Sequence, residues 1–247
     1  MTATSAAGHG PAARAARLAA SLARPDVDLR GSLDPVVITQ GARPLCVAFA
    51  VSGGHEAARS RDGSALEPRA PEAIWWACTE RRQTGNAGML LADAGAVVAD
   101  LGQPTLADWP YNPCLGTGTE APPSAAGAPP WPKAVVRGLP LAHDGVEDPL
   151  ENALATGIPV VLVVEVTEQF AVPDEGGHVE TPDLRVPVGG YHAVLCVGAA
   201  TDPWRGRRLL IRNSWGDHWG LGGYCWLPMA YLVAFVPQAA VVEMGVR

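Results

Sequence analysis

Residues 115–132 divide the chain into two parts with different periodicities, and that division limits the folds open to it. The stretch is dominated by Gly, Pro, Ala, Ser and Thr and contains the pairs Pro122-Pro123 and Pro129-Pro130. It offers neither a helical apolar stripe nor an alternating one, so it reads as a surface connector. Ahead of it the apolar residues recur at helical spacing. One helix is predicted from Cys46 toward Arg59, a second over 71–82 with Ile74, Trp75 and Cys78 on one face, and a third over about 88–101, stopped by Gly102. Beyond it, runs at 134–136, 159–166, 192–197, 209–215, 224–227 and 239–244 read as strands, with a helical turn at 151–156. Residues 171–188 form a polar loop that leaves His178 in solvent. The turn at 201–206 makes a hairpin, which brings His192 beside Asn213 across 21 residues of separation. The fold class is therefore α+β, with a helical part over 40–114 and a β-rich part over 133–247.

The front part contains one stretch whose residue types suggest chemistry, Gln40-Gly41-Ala42-Arg43-Pro44-Leu45-Cys46-Val47-Ala48-Phe49-Ala50. Pro44 suits the entry to a helix, because its φ is already helical and its missing N–H has no intrahelical use there. Cys46 then sits at the positive end of the helix dipole, which favours the nucleophilic thiolate over the thiol. Gln40 supplies an amide donor on a glycine-containing loop, suited to a developing oxyanion. The competing reading is a cysteine that only packs, as most buried cysteines do. Gly53-Gly54 interrupt the helix at about 1 kcal/mol each, tolerable only where tertiary packing or a close backbone holds the helix. His55 lies two and a half turns beyond Cys46, about 13 Å away, too far to take its proton. It is read as a structural or surface histidine. The pair Trp75-Trp76 is read as core packing.

Three C-terminal segments change the balance: Gly190-Tyr191-His192-Ala193-Val194, Arg212-Asn213-Ser214-Trp215-Gly216, and Gly222-Gly223-Tyr224. Together with the Gln40–Cys46 stretch they resemble the papain-like cysteine peptidases. His192 follows Cys46 by 146 residues and Asn213 follows it by 167; the family places both about 130 to 150 residues downstream, so Asn213 overshoots and an insertion is implied. The resemblance implies a two-lobe fold, a helical lobe and an antiparallel β-barrel-like lobe, with the active site in the cleft between them. It covers 25–247, leaving 1–24 as an N-terminal tail. It implies Cys46, His192, Asn213 and Gln40 as catalytic, and Gly88, Tyr191 and Trp215 as substrate-binding. Gly88 stands for a glycine pair that pairs with the substrate backbone, a match displaced by about one residue within Asn86-Ala87-Gly88-Met89. Asp28-Leu29-Arg30 matches the mature start of such domains with Leu29 in place of an aromatic, and Trp109-Pro110-Tyr111 matches a family turn. Val47 and Pro44 depart from the family pattern along the cleft. Secreted relatives carry a disulfide-bonded cysteine where this chain has Arg43. The implied activity is peptide-bond hydrolysis by an intracellular processing endopeptidase acting on peptide or protein substrates. Two alternatives stand beside it, a binding scaffold with weak or no turnover and acyl transfer to an amine.

Composition excludes other classes. With 48% hydrophobic residues among 247, the chain can bury a large core. A net charge of −7 argues against nucleic acid. Arg81-Arg82 and Arg205-Gly206-Arg207-Arg208 are accordingly read as solvated faces and a hairpin tip. No stretch approaches the roughly 20 apolar residues of a membrane span, and the Ala-rich start lacks the apolar core of a secretory signal, so a cytoplasmic protein is expected. Residues 11–24 are either a short helix or an unstructured tail. Five cysteines form no CxxC pair, so neither a zinc site nor a cofactor is expected.

Overall fold

The computed structural model describes residues 11–85, 88–141, 147–182 and 190–245. Its centre is helix α2 (Cys46–Arg61), which follows α1 (Pro11–Leu22) and a short strand β1 (Val27–Asp28). The helix is buried nearly all round, on apolar Val47, Ala48 and Val51 and on polar Ser52, His55 and Glu56 alike. A helix buried on every side must lie between other layers. On one side are α3 (Pro71–Glu80) and α4 (Leu91–Asp100), joined by the two-residue strands β2 (Thr84–Gly85) and β3 (Gly88–Met89).

On its other side lies a sheet built from β4 (Ala134–Gly138), β5 (Val160–Glu165), β6 (Tyr191–Asp202), β7 (Gly206–Arg212), β8 (Tyr224–Pro228) and β9 (Gln238–Met244). The strand order is β4-β9-β5-β6-β7-β8, all antiparallel, with β1 added along β6. The sheet's far face carries α5 (Glu147–Ala155), α6 (Glu168–Ala171) and α7 (Met229–Phe235). Successive side chains of a strand point to opposite faces. Ala193, Leu195 and Val197 thus join the core around α2, while Val194 and Cys196 join the core under α5 and α7. Where both faces are covered, as along β5, the strand reads in sequence as a nearly unbroken apolar run.

The two glycines inside α2 mark its close approach to the sheet. A Cβ at Gly54 would stand 2.6 Å from Val242 Cγ2 on β9, and one at Gly53 would stand 3.0 Å from Leu195 Cδ2 on β6. Gly54→Ala gains about 1 kcal/mol of helix propensity but drives a methyl group into Val242. Overpacking of this kind costs about 1–3 kcal/mol. We expect a net loss of stability, read as a lower urea midpoint at unchanged m-value.

Several sequence expectations change. The helix predicted over 71–82 ends at Glu80, because Arg82 turns into the left-handed region (φ 56°). The helix predicted from 88 begins at Leu91; Gly88 (φ 111°) and Met89 are held as β3 against β2. His178 is half-buried rather than solvent-exposed. Trp226 N–H donates to Gly177 O and Val179 N–H donates to Trp226 O, which adds this part of the loop to the edge of β8. Arg207 and Arg208 are buried, not at a solvated tip. Arg207 donates to Glu151 on α5 at 2.7 and 3.1 Å and to Asp26 at 2.9 Å, while Arg208 donates to Val179 O and Glu180. Only Arg205 of that run stays at the tip, bonded to Asp174. Residues 11–22 are helical. Asn86, Ala87 and residues 183–189, on which parts of the glycine-pair and loop expectations fall, lie outside the described residues. Among the described residues, no helix is long and apolar enough to cross a membrane.

Candidate active site

Cys46 is the first residue of α2, where backbone N–H groups lack intrahelical partners. It lies half-buried in a cleft of about 680 Å³, walled on the helical side by Val47, Gln83, Gly88 and Met89 and on the sheet side by Val163, Tyr191, His192 and Ala193. Burial pushes its thiol above the ordinary range. Hydrogen bonds from the backbone N–H groups of Ala193, Val47 and Cys46 itself pull the other way.

His192 comes from the second position of β6, paired with Val164 of β5. The β6–β7 hairpin sets Leu195 opposite Arg212, so Asn213, just past the end of β7, comes alongside the imidazole. His192 Nε2 and Asn213 Oδ1 are 2.7 Å apart. An amide oxygen only accepts, so Nε2 carries the proton and Nδ1 is left as the basic nitrogen. The same Oδ1 accepts from Ser214 N–H at 2.8 Å, which fixes the amide's orientation. Burial depresses the His192 pKa to about 4, with the Asn213 bond opposing it. Trp215 lies over the ring, centroids 4.7 Å apart and planes at 33°, and Phe170 and Trp219 pack around Trp215. Water is thus kept from the His192–Asn213 bond, and low local dielectric strengthens it.

Gln40 is buried on the loop before α2, and its side chain is held at both ends of the amide. Its backbone N–H donates to Ser214 O, its Oε1 accepts from Ser214 Oγ at 2.6 Å, and its Nε2 donates to Arg43 O at 2.7 Å. A primary amide carries two N–H groups, so one remains beyond the Arg43 bond. Gly88 fits where it does because a Cβ there would stand 3.0 Å from Pro44 O. Tyr191 is largely exposed at the cleft rim, whereas Trp215 is behind His192 and is not among the cleft's lining residues. His55 stands apart, fully buried and bonded through Nδ1 to Gln103 Oε1 at 3.0 Å. All five cysteines are free. Among the described residues no cluster of His, Cys, Asp or Glu is arranged to hold a metal ion. Sequence reading missed the lining by Gln83, Val163 and Gln238. These are ordinary residues, Val163 within β5, Gln238 at the start of β9 and Gln83 in the turn after α3, and only the tertiary fold brings them to the cleft.

A model of the papain family of cysteine proteases matches residues 27–233. About a third of the chain also resembles curated proteins. Pro-cathepsin H of Medicago truncatula is 36% identical over 84 residues, 32% of this chain and 23% of that protein. A peptidase C1-like protein of Acanthamoeba polyphaga mimivirus is 34% identical over 85 residues, 34% of this chain and 26% of that protein. The matched stretches thus span about a quarter of those relatives' length. Among solved structures, xylellain, a cysteine protease from Xylella fastidiosa, superposes with a TM-score of 0.73 at 25% identity, covering 92% of this chain and 89% of that one. Bromelain from Ananas comosus superposes with a TM-score of 0.70 at 19% identity, covering 90% of this chain and all of that one, and so bears on the fold. The arrangement of helices against an antiparallel sheet is that of papain-like structures, and the chain belongs to the papain family of cysteine proteases.

Proposed function

We propose that the chain is a cysteine endopeptidase that hydrolyses peptide bonds in protein substrates, with Cys46 as nucleophile, His192 as general base and acid, Asn213 as the group that orients His192, and Gln40 as oxyanion donor. The observation that carries this reading is that a cysteine at a helix start and a histidine held by Asn213 at 2.7 Å line one open cleft. His192 Nδ1 takes the Cys46 proton as the sulfur attacks the substrate carbonyl carbon. The carbonyl oxygen becomes an oxyanion facing the Cys46 backbone N–H and the free N–H of Gln40. The imidazolium then protonates the leaving amine, and water, deprotonated by His192, releases the acyl group from the sulfur. Proton transfer inside the cleft leaves its net charge unchanged, so burial that disfavours each charged group alone opposes the pair far less. Gly88 and Met89 present backbone to an extended substrate chain, Tyr191 closes the rim, and Trp215 acts through His192.

Two features support an intracellular processing role: the five thiols are all free, and Arg43 stands where the family resemblance places the disulfide-bonded cysteine of secreted relatives. The test combines thiol labelling with substrate profiling. Cys46 is expected to react with iodoacetamide well below the unperturbed thiol pKa of about 8.5, and to lose that behaviour in His192→Ala. The acid limb of kcat/KM is expected near pH 4, where the depressed imidazole of His192 takes up its proton and the thiol loses its acceptor. A peptide library cleaved by the wild type and untouched by Cys46→Ala completes the case. Ordinary thiol titration of Cys46 together with no cleavage would leave only the binding-scaffold reading.

A further inference from the structure

We propose that Arg43, three residues before Cys46, is a positioning residue for Gln40: its buried guanidinium braces the loop that aims the oxyanion donor. The inference rests on the reading of Gln40 given above.

All five guanidinium N–H groups of Arg43 have acceptors. Nη1 donates to Glu72 Oε2 at 2.6 Å and to Asn112 O at 2.9 Å. Nη2 donates to Glu72 Oε1 at 3.1 Å and to Gly118 O at 2.8 Å. Nε donates to Gly116 O at 3.1 Å. The Arg43 and Glu72 side chains are 0% and 1% exposed, so the pair is closed to solvent. A buried ion pair is costly to desolvate and contributes little to net stability unless its remaining lone pairs and protons are satisfied. Here they are met almost completely, Glu72 Oε1 also accepting from Thr119 Oγ1 at 3.0 Å. So full a set of contacts fixes geometry more than it adds stability.

The geometry it fixes is that of Gln40. The Arg43 carbonyl accepts both Gln40 Nε2 at 2.7 Å and Leu45 N–H at 2.9 Å, one from the oxyanion loop and one from the cap of α2. The guanidinium lies 5.0 Å from the centroid of the Tyr111 ring, and Tyr111 Oη donates to Gln40 O at 2.7 Å. The loop that Arg43 grips backs onto the Gln40-Gly41 turn, where a Cβ on Gly41 would stand 3.3 Å from Pro113 Cβ. Two ties therefore reach Gln40 from one guanidinium, through the Arg43 carbonyl and through Tyr111. Lysine cannot replace it, because an ammonium has three donors and no planar fork.

The test is a double-mutant cycle on kcat with Gln40→Ala and Arg43→Lys, using a peptide cut at one bond. Gln40→Ala is expected to lower kcat about 100-fold. Arg43→Lys is expected to lower it about 10-fold or more with KM nearly unchanged, the signature of a lost transition-state contact. The double variant is expected to be no slower than Gln40→Ala alone, since the brace has nothing left to aim. The iodoacetamide rate of Cys46 should be the same in Arg43→Lys as in the wild type. Glu72→Gln, which keeps the shape and removes the charge, repeats the cycle if Arg43→Lys unfolds. Multiplicative losses in the cycle, an unchanged kcat in Arg43→Lys, or a fall in Cys46 labelling parallel to kcat would overturn the proposal. An unchanged kcat in Gln40→Ala would overturn it by removing its basis, and would count first against the role given to Gln40.

Discussion

His192→Ala is expected to lower kcat/KM by about 10⁴-fold while the protein keeps its fold and substrate affinity. General acid–base catalysis is worth about 10²–10⁴-fold, and the thiol loses its activation as well as its proton acceptor. Among the described residues no other histidine lines the cleft. His55 is fully buried with its Nδ1 committed to Gln103, and the half-buried His178 lies along the edge of β8. Losses at the cysteine and the histidine do not add, because the two act as a unit. Cys46→Ala, His192→Ala and the double variant should therefore share one residual rate, and Asn213→Ala should fall less far, since it disturbs the ring's orientation without removing the base. Steady-state kinetics with a fluorogenic peptide measures all four, and thermal melts in the same buffer report the fold. His192→Ala within tenfold of the wild type would remove His192 from the mechanism.

The parts of this site that the sequence made legible depend on local patterns. A proline-led helix start beside Cys46 and a turn-forming run between His192 and Asn213 are each coded within a few residues, and the structure brings these residues together through α2 and the β6–β7 hairpin. What could not be read depends on partners distant in sequence. Arg207 lies in a basic run that looks like solvent-facing charge, and it is buried because Glu151, 56 residues earlier, turns its carboxylate toward β7. His178 sits among polar residues, yet backbone pairing with Trp226 draws it half into the structure. The helix α7 was missed because Met229–Phe235 is short and apolar, and such runs fit a strand as well as a buried helix. The left-handed turn at Arg82 also carries no signal, since nothing in a Thr-Glu-Arg-Arg-Gln run distinguishes the last helical turn from the first residue beyond it.

Acidification from pH 7 to pH 4 is expected to remove several kcal/mol of folding stability, through two histidines that the fold keeps neutral. Burial lowers the pKa of both His55 and His192 from 6.5 to about 4. Between those values the unfolded chain binds protons that the folded chain does not, so stability is fully present above about pH 6.5 and falls as pH drops toward 4. Each pKa unit corresponds to about 1.4 kcal/mol, so each histidine contributes about 3 kcal/mol across the window. Glu56 opposes them, because burial raises its pKa and the folded state then holds the extra proton. The His55 share can be isolated. Its Nδ1–H donates to Gln103 Oε1, while Gln103 Nε2 donates to Ser52 Oγ and Ala70 O, so the amide is locked as an acceptor toward the ring. Protonation would put a charge on Nε2, which is buried without a partner, near Arg59 and Arg69. His55→Gln removes that titration. Urea unfolding at half-unit steps from pH 4 to pH 7 should show a slope of stability against pH that is smaller by up to one proton in the variant, whatever its absolute stability. Parallel slopes in the two proteins would mean that His55 titrates normally and is not held neutral by the core.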